Sequence, residues 1–197
     1  YGSGNDTARA IGLHHLTWQQ ALWHALEAPA TAYDIGWVEA TDQANGTGLR
    51  ALPFISSFSV GFDANVGYRA MVDPKGLGGL PRYVLAALKE WLSMRHWPLV
   101  VQCDGKDIHS GNTVMATSLN TPTYGGGQRL MPNATVNDGL LNLMLVKDLS
   151  RSATLMGLLA LAMGHRLNRP QVSVLPYSCL SVTSEHLFPI GADGEFL

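Results

Sequence analysis

Four clusters in this chain carry side chains able to do chemistry. The first is Gly2-Ser3-Gly4-Asn5-Asp6. Two glycines let a backbone approach a ligand closely, and a helix that follows aims free amides and the positive end of its dipole at an anion. Asn5 and Asp6 can bond a sugar or a base, or cap the helix. A plain turn with an N-cap explains the same string, and no Gly-Lys-Ser/Thr follows to make a P-loop. The second cluster is Gly61-Phe62-Asp63-Ala64, at the end of an apolar run from Phe58, where Asp63 reads as a helix cap or a ligand contact. The third runs from Tyr124-Gly125-Gly126-Gly127 through Pro132-Asn133-Ala134 to Asn137-Asp138-Gly139-Leu140. Three consecutive glycines are costly in backbone entropy, so a contorted or closely approached chain must require them. Asn137-Asp138-Gly139 fits a hairpin turn; an Asp flanked by turn carbonyls also fits a hard cation. The fourth is Gly191-Ala192-Asp193-Gly194-Glu195, whose paired carboxylates suit metal binding or proton abstraction, or simply a surface turn. The seven histidines make no H-E-x-x-H, no cysteine pair supports a zinc site, and no G-x-S-x-G elbow occurs.

The elements that must position these clusters follow from periodicity. Thr7–Leu13 is helical. Thr17–Ala28 repeats apolar residues at Trp18, Ala21, Leu22, Ala25 and Leu26, with Thr17 as N-cap and Pro29 as stop. Tyr33–Thr41 and Leu49–Val60 read as strands joined by a turn over Ala44–Gly48. Leu80–Leu92 and Ser152–Gly164 read as helices. Strands are expected at Pro98–Cys103, Thr113–Ser118, Leu140–Val146, Pro170–Leu175 and Cys179–Thr183. The pattern is that of a β-rich α+β domain without internal repeats.

Composition narrows the function. Of 197 residues, 46% are hydrophobic and 14% charged, enough to bury a full core and too apolar for a disordered chain. Thirteen basic against fifteen acidic side chains give a formal charge of −2, which argues against nucleic acid as a partner. The apolar stretch Leu155–Met163 is far short of the roughly 20 residues a bilayer span needs. Cys103 and Cys179 are expected to be reduced, buried thiols of a cytosolic protein. The chain opens without Met, already inside a glycine-rich turn, so it is expected to begin partway through a larger protein.

Taken in order, the four clusters resemble the motifs of the diacylglycerol kinase/sphingosine kinase catalytic family, in its soluble bacterial lipid kinase branch. Gly2-Ser3-Gly4-Asn5-Asp6 with Ala8-Arg9 is similar to the G-T-G-N-D-x-A-R signature, with Ser3 in place of Thr. Ser59-Val60-Gly61-Phe62-Asp63-Ala64 resembles the G-x-D-A block. Tyr124 to Ala134, then Asp138-Gly139-Leu140-Leu141, resemble G-G-G-x-x-x-x-P-x-A and D-G-x-L/F, and Asp193-Gly194-Glu195 resembles the closing D-G-E. The family's G-G-D-G-T phosphate loop has no counterpart in these residues.

The resemblance implies a sandwich-like C-terminal domain of a two-domain lipid kinase, with flanking helices. Residues 1–30 would be the tail of the nucleotide-binding domain and residues 31–197 the C-terminal domain, with the active site in the cleft between domains. It implies transfer of the γ-phosphoryl group of ATP, with Mg2+, to the hydroxyl of diacylglycerol or a related lipid. Asp193 would be the base and Glu195 its neighbour on nucleotide or magnesium. Gly2, Ser3, Gly4, Asn5 and Asp6 would hold the nucleotide, and Asp63 would face the lipid headgroup. Asp138, with carbonyls of Thr135 and Leu140, matches a structural magnesium site. Phe54, Phe58, Phe62, Met71 and Leu77 could line a greasy cleft or be ordinary core. The expected setting is cytoplasmic and peripheral to the membrane, with a lipid partner and a homodimer left open. Without the phosphate loop these 197 residues alone are expected to be inactive. An inactive lipid-binding module and a kinase of a soluble alcohol remain the alternatives.

Overall fold

The computed structural model describes residues 5–42, 47–72, 80–165 and 167–196. Two helices lead the chain, the short α1 (Asp6–Ala10) and α2 (Trp18–Glu27). Thr17 caps α2 as its sequence position predicts. Its hydroxyl accepts from the Gln20 amide at 3.3 Å, and the Gln20 carboxamide oxygen accepts from the Thr17 amide at 2.9 Å. This reciprocal capping box satisfies two amides that the helix leaves unpaired.

β1 (Gly36–Asp42) and β2 (Thr47–Phe54) form an antiparallel two-stranded sheet of their own. Most of the turn expected between them lies outside the described residues. β3 (Ser57–Gly61) belongs to the main sheet and runs straight into α3 (Phe62–Val72). α4 (Leu80–Leu92), β4 (Trp97–Cys103), β5 (Lys106–Leu119) and β6 (Leu141–Lys147) follow. α5 (Arg151–Ala162), β7 (Val172–Tyr177), β8 (Leu180–Thr183), β9 (Ile190–Ala192) and β10 (Glu195–Phe196) complete the chain.

The main sheet is antiparallel and branches at β5. The first part of this fourteen-residue strand pairs with β4, and β8 pairs with the other edge of β4. The later part, from Thr113 to Leu119, pairs with β6, which carries β7; Met115–Leu119 also pairs with β3. A register shift falls between Thr113 and Met115, the kind of irregularity that bends a strand. β9 extends the β3 edge, and β10 closes a hairpin on it. The result is the sandwich-like, sheet-rich domain expected.

Alternation places the core. Along β4, Trp97, Leu99, Val101 and Cys103 are buried while Pro98, Val100 and Gln102 face out. They pack with Val60, Val114, Ala116, Leu119, Leu143 and Leu145, none of which is more than 1% exposed. In β6 the run Leu143–Val146 is buried at every position, so both faces of that strand are covered.

Three sequence expectations need correction. Leu49–Val60 is two strands in two sheets. The break falls at Ile55-Ser56, whose amides donate to the Asp193 side chain instead of to a neighbouring strand. The apolar run gives no sign of this, because the acceptor lies about 140 residues away along the chain. Helix α3 is also unannounced by the pattern: the run ending at Phe62 turns directly into it. Finally, Cys103 is buried as expected but Cys179 is exposed; both are free thiols.

Candidate active site

Of the motif residues within the described chain, Asn5, Asp6, Asp63, Tyr124, Gly126 and Asp193 line one large cavity of about 850 Å³, whereas Thr135, Asp138, Leu140 and Glu195 do not. Helices α3, α4 and α5 supply most of its apolar walls. Gly2, Ser3 and Gly4 lie outside the described residues, as does Leu77.

Asp6 explains the triple glycine. Its two carboxylate oxygens accept from the Gly126 and Gly127 amides, each at 2.9 Å. Successive amides point the same way only because Gly125, Gly126 and Gly127 take φ of 61°, 93° and 104°, angles that side chains resist. A Cβ on Gly127 would also sit 3.2 Å from Arg9 Nε. The loop is closed by backbone bonds between Tyr124 and Gln128 of 2.9 and 3.0 Å. The first and third motifs, over 100 residues apart in sequence, are therefore one structure. Asn5 precedes α1 with a left-handed φ of 53° and makes no side-chain cap.

Asp193 and Gly194 form the two-residue turn of the β9–β10 hairpin, with φ of 47° and 93°. Positive φ at both positions is what a type I′ turn demands. The turn then points the Asp193 carboxylate at the loop between β2 and β3. Oδ2 accepts from the Ile55 amide at 2.5 Å, and Oδ1 accepts from the Ser56 and Ser57 amides at 2.9 Å each. The Asp193 amide returns a bond to the Ser57 carbonyl at 2.9 Å. Glu195, two residues on, is exposed. Phe196 holds the hairpin against α3: a Cβ on Gly67 would fall 2.5 Å from its ring, and one on Gly191 2.7 Å.

Asp63 occupies the first turn of α3 and is only 7% exposed. Thr117 Oγ1 donates to its Oδ2, and the Tyr124 hydroxyl stands 3.5 Å from the same oxygen. Oδ1 has no hydrogen-bond partner among the described residues. Burial pushes this carboxyl up to about 7, against the opposing pull of its hydroxyl and backbone donors. The same desolvation, aided by the nearby Asp63 charge, raises the Tyr124 phenol. A carboxyl with a free oxygen and a midpoint near neutrality can take up or release a proton under ordinary conditions.

Asp138 lies in an exposed loop. Oδ2 accepts from Thr135 Oγ1 at 2.5 Å and Oδ1 from the Leu140 amide at 3.0 Å, and these two bonds hold its carboxyl below the usual range. The loop thus brings Thr135 and Leu140 to Asp138 through a hydroxyl and a backbone amide. No group of three or more His, Cys, Asp or Glu side chains able to hold a metal occurs among the described residues. Asp34, which sequence reasoning missed, anchors this loop: its carboxylate accepts from the Gly139 amide at 2.8 Å, and its amide donates to the Val136 carbonyl at 2.6 Å. No motif flags Asp34, because its partners are set only by the fold.

Of the proposed greasy residues, Phe62 lines the cavity. Phe54 is 2% exposed and packs near Phe58, as core. Met71 is 52% exposed and does not line this cavity.

Comparison with known proteins bears on this arrangement. Residues 56–197 match the family described as the YegS C-terminal NAD kinase beta sandwich-like domain. A Mycobacterium tuberculosis protein named diacylglycerol kinase is 30% identical over 203 residues, covering 99% of this chain and 60% of its own length. A Bacillus subtilis diacylglycerol kinase is 24% identical over 195 residues, with the same coverage of 99% and 60%. A solved structure of a diacylglycerol kinase from Bacillus anthracis shares the fold, with a TM-score of 0.59 at 16% identity, covering 100% of this chain and 58% of that one. The chain thus spans about 60% of the length of the curated relatives it matches.

Proposed function

Because the chain belongs to the YegS C-terminal NAD kinase beta sandwich-like family, we propose that it is the acceptor-binding part of an ATP-dependent lipid kinase acting on diacylglycerol or a related lipid alcohol. One observation carries this reading: a cavity of about 850 Å³, walled mainly by apolar side chains, is also lined by the carboxylates of Asp6, Asp63 and Asp193. A lipid alcohol needs both parts, a dry channel for its chains and a polar end for its hydroxyl.

The chemistry assigns roles. The acceptor hydroxyl forms a bond to the γ-phosphorus of ATP as the bond to ADP breaks, and its proton passes to a carboxylate. Asp193 is the proposed acceptor of that proton, with Glu195 beside it. The three backbone amides hold Asp193 in one orientation in the cavity lining. Asp63 would meet the lipid headgroup. Its unpartnered oxygen and near-neutral midpoint favour a second reading, in which Asp63 takes the proton and Asp193 keeps the site assembled. Asn5 and Asp6, with Gly2, Ser3 and Gly4, would border the nucleotide. Asp138, with carbonyls of Thr135 and Leu140, would hold a structural magnesium; a second ion at the transferring phosphate would neutralise its charge.

The test is ATP turnover by the natural protein with and without lipid. Consumption of ATP that rises with added diacylglycerol supports the reading. Turnover indifferent to lipid and stimulated instead by a water-soluble alcohol would replace it with the soluble-alcohol kinase. No turnover with either would favour a binding module.

A further inference from the structure

We infer that Asn120 is a positioning residue for Asp193: it fixes the two peptide groups whose amides hold one oxygen of the Asp193 carboxylate, a role that deepens the lipid-kinase reading and rests on Asp193 serving that reaction.

Asn120 follows Leu119, the last residue of β5 in its ladder with β3, and it is fully buried. Its side-chain nitrogen Nδ2 donates to two carbonyls, that of Asp34 at 2.8 Å and that of Ile55 at 3.0 Å. Two carbonyl acceptors identify the nitrogen end of the carboxamide. They also fix its rotation, since one acceptor precedes β1 and the other follows β2. The Asn120 main-chain amide donates to the Ser56 carbonyl at 2.9 Å, which carries the β3–β5 ladder one step further. Oδ1 is buried and has no hydrogen-bond partner among the described residues. An orphaned buried oxygen destabilises a fold, so the donor end is the part of this side chain in use.

Peptide geometry transmits the grip. The Ile55 carbonyl and the Ser56 amide belong to one peptide unit, and the Ser56 carbonyl and the Ser57 amide to the next. A trans peptide is planar and points its C=O and N–H in opposite directions. Asn120 holds the carbonyl ends of both units, while Asp193 Oδ1 takes both amide ends, each at 2.9 Å. Rotating either plane away from Asn120 would therefore turn its amide away from the carboxylate. A carbonyl that accepts a bond also polarises its own N–H, which strengthens the bond donated on the far side. The first unit depends on the Asn120 side chain and the second on its main chain, so a substitution frees only the first. Asn120 does not line the cavity; it acts through Asp193.

The test compares amide exchange and turnover in the natural protein and its Asn120→Ala variant. By NMR, the Ser56 amide should exchange about tenfold faster or more in the variant, the scale of losing one hydrogen bond, and the Ser57 amide should change less. With ATP and diacylglycerol, kcat should fall by about tenfold while KM for both substrates stays as in wild type. In an Asp193→Asn background the same substitution should cost little, because the group it positions is already lost. Thr121→Val is the control. Its hydroxyl is equally buried and bonds the Ser56 side chain and the Thr123 carbonyl, but neither of the two peptide units. That variant should lose stability and keep the wild-type kcat. If Asn120→Ala does not fold, Asn120→Asp keeps the size, leaves at most one donor for two carbonyls, and should show the same pattern. Unchanged exchange at Ser56, a loss carried by KM, or equal losses in both Asp193 backgrounds would each overturn the positioning role. Wild-type protein that phosphorylates no lipid would instead count against the kinase reading, and the exchange comparison would then decide the positioning by itself.

Discussion

Asp63 is where local physics and chemistry are most closely joined. Its carboxyl is buried, so the folded protein prefers the neutral form up to about pH 7, whereas the unfolded chain ionises near 3.8. Between those values the folded state holds more protons, and stability contributed by this group falls as pH rises. Asp63→Asn removes the ionisation. The unfolding free energy of the variant minus that of wild type should therefore grow between about pH 4 and pH 7 by a few kcal/mol and then level off. Denaturant titrations across that range check it; a flat difference would mean that Asp63 is not buried as described. Asp193→Asn poses the complementary question. It should cut turnover by about 10²-fold or more if Asp193 takes the proton, seen in kcat at constant substrate binding. A wild-type rate in that variant, with loss in Asp63→Asn, would move the base to Asp63. At Asp138 the expectation is metal-linked: magnesium should raise the melting temperature of wild type and not of Asp138→Ala, because a bound ion stabilises only the state that binds it. An identical response in both proteins would leave Asp138 as a turn former.

At the scale of elements, the β9–β10 hairpin matters most. Its turn carries Asp193, its edge pairs with β3, and Phe196 seats against Gly67 of α3. Gly67→Ala should destabilise the protein by about 1–3 kcal/mol through overpacking and should lower turnover further by displacing the hairpin; urea melts and initial rates together test this. A neutral effect on both would show that the ring moves aside freely. Much of this level is legible in the sequence. The boundaries of α4 and the cap of α2 follow from apolar spacing and from Thr17 with Gln20 three residues on. Strands β4 to β8 lie where the sequence places strands, but β5 begins at Lys106 instead of Thr113, β3 is merged into a longer run, and β9 and β10 are not read at all. What stays hidden is non-local. The break at Ile55-Ser56 is imposed by a carboxylate far along the chain, and the triple glycine serves the carboxylate of Asp6. Periodicity reports which face is apolar, not which distant acceptor will draw an amide out of a strand. The motif residues were legible as a group through resemblance, yet Asp34 was not, since an Asp whose partners are backbone amides of another loop leaves no pattern in sequence.

For the whole molecule, the polar and apolar linings of one cavity frame the account. Asp6, Asp63 and Asp193 line the same cavity as apolar side chains of α4 and α5, so on the proposed reading one space would serve both the headgroup and the chains of a lipid. No helix among the described residues is long and apolar enough to cross a membrane. The central claim is that a phosphoryl group reaches a lipid hydroxyl. The most direct measurement supplies the natural protein with ATP labelled at the γ-phosphate, magnesium and diacylglycerol, and separates the extracted lipids by thin-layer chromatography. Label is expected in a single product migrating as phosphatidic acid, diminished about 10²-fold or more in Asp193→Asn. Label released only as inorganic phosphate, with none in the lipid fraction, would contradict it.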